Sequence, residues 1–88
     1  MAYYPWLSLD VIAKYEPEMK ILGVSKVARS SRGFLTAYKR AGGIPGRMSE
    51  YWIRKRDGFI ARHLAQYKKD KGHRRRLALI AWAYKPRE

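Results

Sequence analysis

The sequence predicts a small all-α single domain, a bundle of about four helices preceded by an extended aromatic N-terminal arm. Three observations carry this expectation. The 88 residues are 47% hydrophobic and 14% aromatic, enough to build a small core without metals or cross-links. Apolar residues recur at helical spacing in segments separated by Gly- and Pro-rich breaks. The stretch His73–Tyr84, HRRRLALIAWAY, joins the strongest charge cluster to the strongest apolar run, and the rest of the chain can be placed around it.

The arm, MAYYPWL, sets Tyr3, Tyr4 and Trp6 around Pro5, and either packs on the helices or reaches to a partner. Ser8 is the expected N-cap of a first helix through about Tyr15, with Leu7, Val11, Ile12 and Tyr15 on one side. Pro17 is expected to stop it and to begin a further turn whose packing residues are Met19, Ile21 and Leu22, before Gly23. Val24, Val27 and Ala28 then give a short helical turn. Ser30 or Ser31 is expected to cap a helix from about Arg32 to Ala41, with Phe34, Leu35, Tyr38 and Ala41 inward and Lys39 and Arg40 outward. A Ser-Arg-Gly helix start offers hydroxyls, amides and a guanidinium suited to one phosphate or sulfate, although capping alone accounts for the serines.

AGGIPGR (residues 41–47) is a connecting loop, longer than the turn of a helix-turn-helix DNA reader. Ser49 to about Asp70 is the longest helix, capped by Ser49 with Glu50 in its first turn. Trp52, Ile53, Phe59, Ile60, His63, Leu64 and Tyr67 form its apolar face, and Arg54, Lys55, Arg62 and Lys69 a basic ridge opposite. Gly58 lies within that ridge, where a missing side chain would admit a phosphate backbone or relieve a helix crossing. Arg56 is the exception, since its phase puts it among the apolar residues. It must snorkel, stack on an aromatic ring or pair with a carboxylate, and Asp10, Glu16 and Glu18 are the candidate partners. The last helix, apolar nearly all round, is expected to be buried and to end at Pro86. Its uncharged run, Leu77–Tyr84, is far shorter than the roughly 20 residues a bilayer requires, so no membrane partner is expected. Arg74, Arg75 and Arg76, one turn from the core, read either as a rigid anion site or as a solvated first turn.

The formal net charge of +13 calls for a partner of opposite sign. Residues 1–24 carry two Lys against three acids, whereas residues 25–88 carry 18 Lys plus Arg against four acids, which separates a near-neutral cover from a basic body. There are no cysteines, so disulfides and thiolate zinc sites are excluded. The two histidines, His63 and His73, have no acid at ligand spacing from both, and the seven acids form no catalytic pair. No nucleophile elbow or phosphate loop is present. No enzyme activity, metal or other cofactor is therefore expected.

The segments VARSSRGFLTAYKRAGG (Val27–Gly43), KRDGFIARHLAQYKK (Lys55–Lys69) and RRRLALIAWAYKP (Arg74–Pro86) resemble a family of small, basic, functionally uncharacterised proteins of tailed phages and large DNA viruses. The family carries a His where this chain has Arg76, and a longer insert before the arginine cluster. The resemblance implies a phage or viral origin and assigns no activity.

Two functional readings follow. In the first, the protein binds DNA or RNA, mainly without sequence preference. Arg29, Arg32, Arg54, Lys55, Arg62, Lys69, Arg74, Arg75 and Arg76 are the candidate phosphate-binding residues. In the second, a non-enzymatic structural or regulatory protein docks its basic surface on an acidic protein, such as a virion subunit or host enzyme. The aromatic arm favours that role. Either reading places it in the host cytoplasm or the virion, and no secretory signal is read at Met1–Leu9. Neither sets the oligomeric state.

Overall fold

Residues 4–86 are described by the structure, a computed structural model. They form α1 (Leu9–Leu22), a single-turn α2 (Lys26–Arg29), α3 (Phe34–Arg40), a 3-10 turn (Pro45–Arg47), α4 (Glu50–Lys69) and α5 (His73–Ala81), with no strand among the described residues. The domain is thus all-α, with four principal helices and two short helical turns. Its radius of gyration, 12.1 Å, is that of one compact unit of this length.

The short apolar helix α5 lies at the centre, packed against α1 on one side and α4 on the other. Leu77, Ile80 and Ala81 join Ile12 and Met19 of α1 and Phe34, Leu35 and Tyr38 of α3 in the main cluster. Leu79, on the opposite side of α5, meets Ile60 and Tyr67 of α4. Being covered on both sides, Leu77, Leu79, Ile80 and Ala81 are fully buried, which is why the second half of α5, Leu77–Ala81, shows no polar face. The rings of Phe34, Trp82, Phe59 and His63 stack in succession across the domain, at centroid separations of 4.8, 4.6 and 3.9 Å.

Ser8 caps α1, its hydroxyl accepting from the Val11 N–H at 3.4 Å. The helix does not stop at Pro17 but runs through it to Leu22. An interior proline leaves the carbonyl four residues earlier without its N–H partner, at a cost of about 3 kcal/mol. Ile12 and Met19, seven residues apart on one face and both fully buried, hold the two halves as one helix against that cost. Of the three packing residues expected here only Met19 is buried: Ile21, on the opposite face, is 82% exposed, and Leu22, at the helix end, is also exposed. Gly23, in the left-handed region at φ +66°, ends the helix. Its N–H donates to Lys20 O, and the Val24 N–H donates to Met19 O.

Neither Ser30 nor Ser31 caps α3; Gly33 holds that position and the helix begins at Phe34, two residues later than expected. The Ser30 hydroxyl instead donates to Val27 O at 2.6 Å. Close approach explains the glycine, since a Cβ there would lie 2.0 Å from Val27 O and 2.3 Å from Ala28 O, both backbone atoms. Gly33→Ala is accordingly expected to push α2 away from α3 and to destabilise the fold by about 2 kcal/mol or more, read as a shifted urea midpoint.

The α4 helix follows its sequence signals, with Ser49 accepting from the Trp52 N–H and Glu50 in the first turn. By contrast, α5 ends at Ala81, well before Pro86. Ala83 takes φ +60°, its N–H donates to Ile80 O, and the Tyr84 N–H donates to Leu79 O. This is a glycine-type helix ending built on alanine, at a backbone cost of about 1–2 kcal/mol.

Arg56 holds that strained ending in place. Its side chain is 1% exposed. Nε donates to Trp82 O at 2.8 Å, and Nη2 donates to Ala83 O at 2.8 Å and Pro5 O at 2.7 Å. Nη1 donates to Tyr4 O at 3.1 Å, and the guanidinium lies 3.9 Å from the centroid of the Trp6 ring. One planar cation thus joins α4, the end of α5 and the arm. The stacking option of the sequence reading is realised, but the carboxylate partners are not those expected. Glu16 pairs with Lys39 and Glu18 with His73, whereas the carboxylate beside Arg56 is Asp57 at 3.9 Å. Further bonds fasten the arm from Tyr4 to Leu7: the Leu7 N–H donates to Ala83 O, and the buried Tyr38 hydroxyl donates to Leu7 O at 2.9 Å. This part of the arm packs on its own domain. Tyr3, also assigned to the arm, lies outside the described residues.

Candidate nucleic-acid interface

Burying Arg56, Ile60 and Tyr67 turns the other side of α4 to solvent. Lys55, Arg62 and Lys69 stand on that side at seven-residue intervals, about 10 Å apart along the axis, and all are exposed. Tyr51, 58% exposed, continues the stripe toward the start of the helix, with the Lys55 ammonium 5.2 Å from its ring centroid. Arg54 flanks the stripe and pairs with Glu50 one turn earlier, at 2.9 Å. Its charge is locally compensated, while no acid falls on the line of Lys55, Arg62 and Lys69. At Gly58 an added Cβ would lie 3.4 Å from Arg62 Nη1, so the Arg62 guanidinium lies back over the glycine.

The other candidates divide. Arg32 is exposed in the turn before α3. Arg29 turns inward and donates to Val24 O at 3.1 and 3.0 Å and to Met19 O at 3.5 Å, covering carbonyls at the end of α1. Arg74 does the same from α5, donating to Leu22 O at 2.6 Å. Arg75 donates to Gln66 Oε1 at 3.3 Å and lies 3.8 Å from Asp70, and Arg76 is half-buried. The triplet at the start of α5 is therefore partly engaged in holding α1 and α4.

Arg74 and Arg75 also line, with His63, Gln66 and the Gly23–Ser25 turn, an open recess of about 340 Å³. Partial burial, then the charges of Arg62 and Arg75, hold the His63 pKa below the ordinary histidine value. The folded chain therefore takes up this proton less readily than the unfolded chain. The stability at stake is present above about pH 6.5 and is lost as pH falls from there toward the depressed value. His63→Phe keeps a ring on Phe59 and removes the titrating group. Its stability relative to the parent protein is expected to rise as pH is lowered from about 7.5 to about 5.5, measured by urea unfolding.

The sequence reading passed over three residues that the fold places together. Arg40 at the end of α3 and Arg47 of the 3-10 turn line an open cleft of about 290 Å³ with Ala37, Met48, Ser49 and Trp52. Tyr51 adjoins it, its ring meeting Trp52 edge to face at 5.2 Å. Among the described residues the side chains of Arg40 and Arg47 make no hydrogen bond or ion pair, in contrast to Arg29, Arg56 and Arg74. The one available signal was Arg40's outward phase on its helix; nothing in AGGIPGR shows that the loop folds Arg47 beside it.

No described helix is long and apolar enough to cross a membrane, and among the described residues no group of three or more His, Asp or Glu side chains could hold a metal ion. No family model matches the chain, and no curated protein or solved structure matches it.

Proposed function

We propose that this domain binds nucleic acid through phosphate contacts that are mainly independent of base sequence. The supporting observation is the line of exposed cations Lys55, Arg62 and Lys69 on a rigid helix with no acid among them, in a chain of net charge +13. Phosphates are met by such a face at several points at once, and each contact releases condensed counterions. Arg32 is exposed in the turn before α3 and offers a separate contact, while Arg29, Arg54, Arg74 and Arg75 contribute field more than contact, because protein acceptors engage their guanidinium groups. The phage or viral origin remains a proposal supported by the sequence resemblance.

The test is fluorescence anisotropy with labelled duplex DNA, single-stranded DNA and RNA over a range of salt. A log-log slope of about −4 to −7 on duplex is expected, five to eight phosphate contacts at about 0.9 each. Weak binding that vanishes near physiological salt would instead favour a protein partner with an acidic surface. One observation supports that second reading: Ile21 and Val27 are 82% and 80% exposed, beside Lys20 and Lys26 in the chain.

A further inference from the structure

We propose that the preferred ligand is single-stranded, with one base stacked on the Tyr51 ring and the adjoining phosphate held in the cleft between Arg40 and Arg47. The inference rests on the nucleic-acid reading above and narrows it. Most of the chain's aromatic side chains are used inside the fold: Phe34 and Tyr38 are buried, and Trp6, Trp52, Phe59 and Trp82 pack on the cores. Tyr51 is different, being 58% exposed within the basic stripe. Its neighbours are chemically what a nucleotide requires. Lys55 lies 5.2 Å from the ring, and the wall contributed by Trp52 leads into a cleft with two guanidinium groups that no described residue engages.

The Lys55 ammonium marks a ring face open to a cation, hence to any flat ligand able to displace this exposed lysine. A phosphate beside the ring would draw that ammonium away and leave the face to a base. Bases of a duplex are stacked within the helix and cannot present a face to a side chain on a convex helical surface. Unstacked bases of a single strand can, and stacking of this kind tolerates any base. The cleft fits the accompanying phosphate, since Arg40 and Arg47 approach it from separate elements, α3 and the 3-10 turn. Guanidinium groups bind phosphate oxygens in bidentate fashion.

The experiment compares unstructured oligothymidylate with a duplex of equal length, titrated into the parent protein, Tyr51→Ala, Tyr51→Phe and Arg40→Gln/Arg47→Gln. Tyr51→Ala is expected to weaken single-strand binding about 5- to 150-fold, the loss of one base–aromatic stack, and to leave duplex binding unchanged. Tyr51→Phe, which keeps the ring face, is expected to bind like the parent. The double arginine variant is expected to reduce the single-strand salt slope by about 0.7, one phosphate contact. Equal loss on both ligands, or no loss, would overturn the stacking proposal while leaving the basic surface in place. A parent protein that binds neither ligand would overturn both. All three variants alter exposed side chains, and an unchanged circular dichroism melt shows that the fold is retained.

Discussion

Arg56→Ala is expected to destabilise the domain by at least about 3 kcal/mol, a rise of about 150-fold in the unfolded-to-folded ratio and a large share of the usual 5–15 kcal/mol of total stability. Carbonyls of Tyr4, Pro5, Trp82 and Ala83 all accept from this one buried guanidinium. Removing it strips four acceptors of a charged donor, opens a void beneath Trp6, and releases both the arm and the strained end of α5. Lysine is not a substitute: its ammonium has three donors on a point charge and cannot reach acceptors around a plane. Arg56→Lys should therefore lose most of the same stability. Arg54→Ala, two residues away, removes only an exposed pair with Glu50 and is expected to change stability by no more than about 0.5 kcal/mol. Chemical denaturation of the three variants checks this. Near-equal midpoints for Arg56→Ala and Arg54→Ala would show that the guanidinium does not hold the fold together.

The second large effect is on binding. Replacing Lys55, Arg62 and Lys69 together by glutamine is expected to weaken duplex binding about 500-fold at 0.1 M salt. The figure follows from counterion release. Three contacts at about 0.9 each remove about 2.7 from the log-log slope, and since that contribution vanishes near 1 M salt, the loss at 0.1 M is about ten to the power 2.7. Stability should hardly change or should rise slightly, because the three residues are exposed and their removal lessens like-charge repulsion. Arg29→Gln should behave in the opposite way: it leaves carbonyls at the end of α1 without their donor, so it is expected to lower stability while keeping most of the affinity.

The contrast between these arginines marks what the sequence could and could not disclose. Side-chain phase on a helix was legible, and it gave the all-α class, the caps at Ser8 and Ser49, the burial of α5 and the exposed ridge on α4. Phase also singled out Arg56 as anomalous, yet could not name its partners, because those carbonyls come from a helix ending and an arm remote in sequence. Helix ends were less legible where packing overrides a local signal. Ile12 and Met19 carry α1 through Pro17, and the arm and Arg56 hold an alanine in a conformation that would normally call for glycine. The α3 start was missed because Gly33 answers to backbone atoms of α2, a contact that no serine-capping rule anticipates. Arg29 and Arg74 read as binding residues since composition counts charge but does not show which carbonyls a cation will cover. The cleft of Arg40 and Arg47 depends on the path of a glycine-rich loop and left no periodic trace.

Salt titration of the Lys55, Arg62 and Lys69 variant beside the parent protein, on one duplex, tests the central claim most directly. A parent slope of about −4 to −7, falling in magnitude by about 2.7 in the variant, is the predicted result. Identical slopes for the two proteins would contradict it and would remove the outer face of α4 from the binding surface.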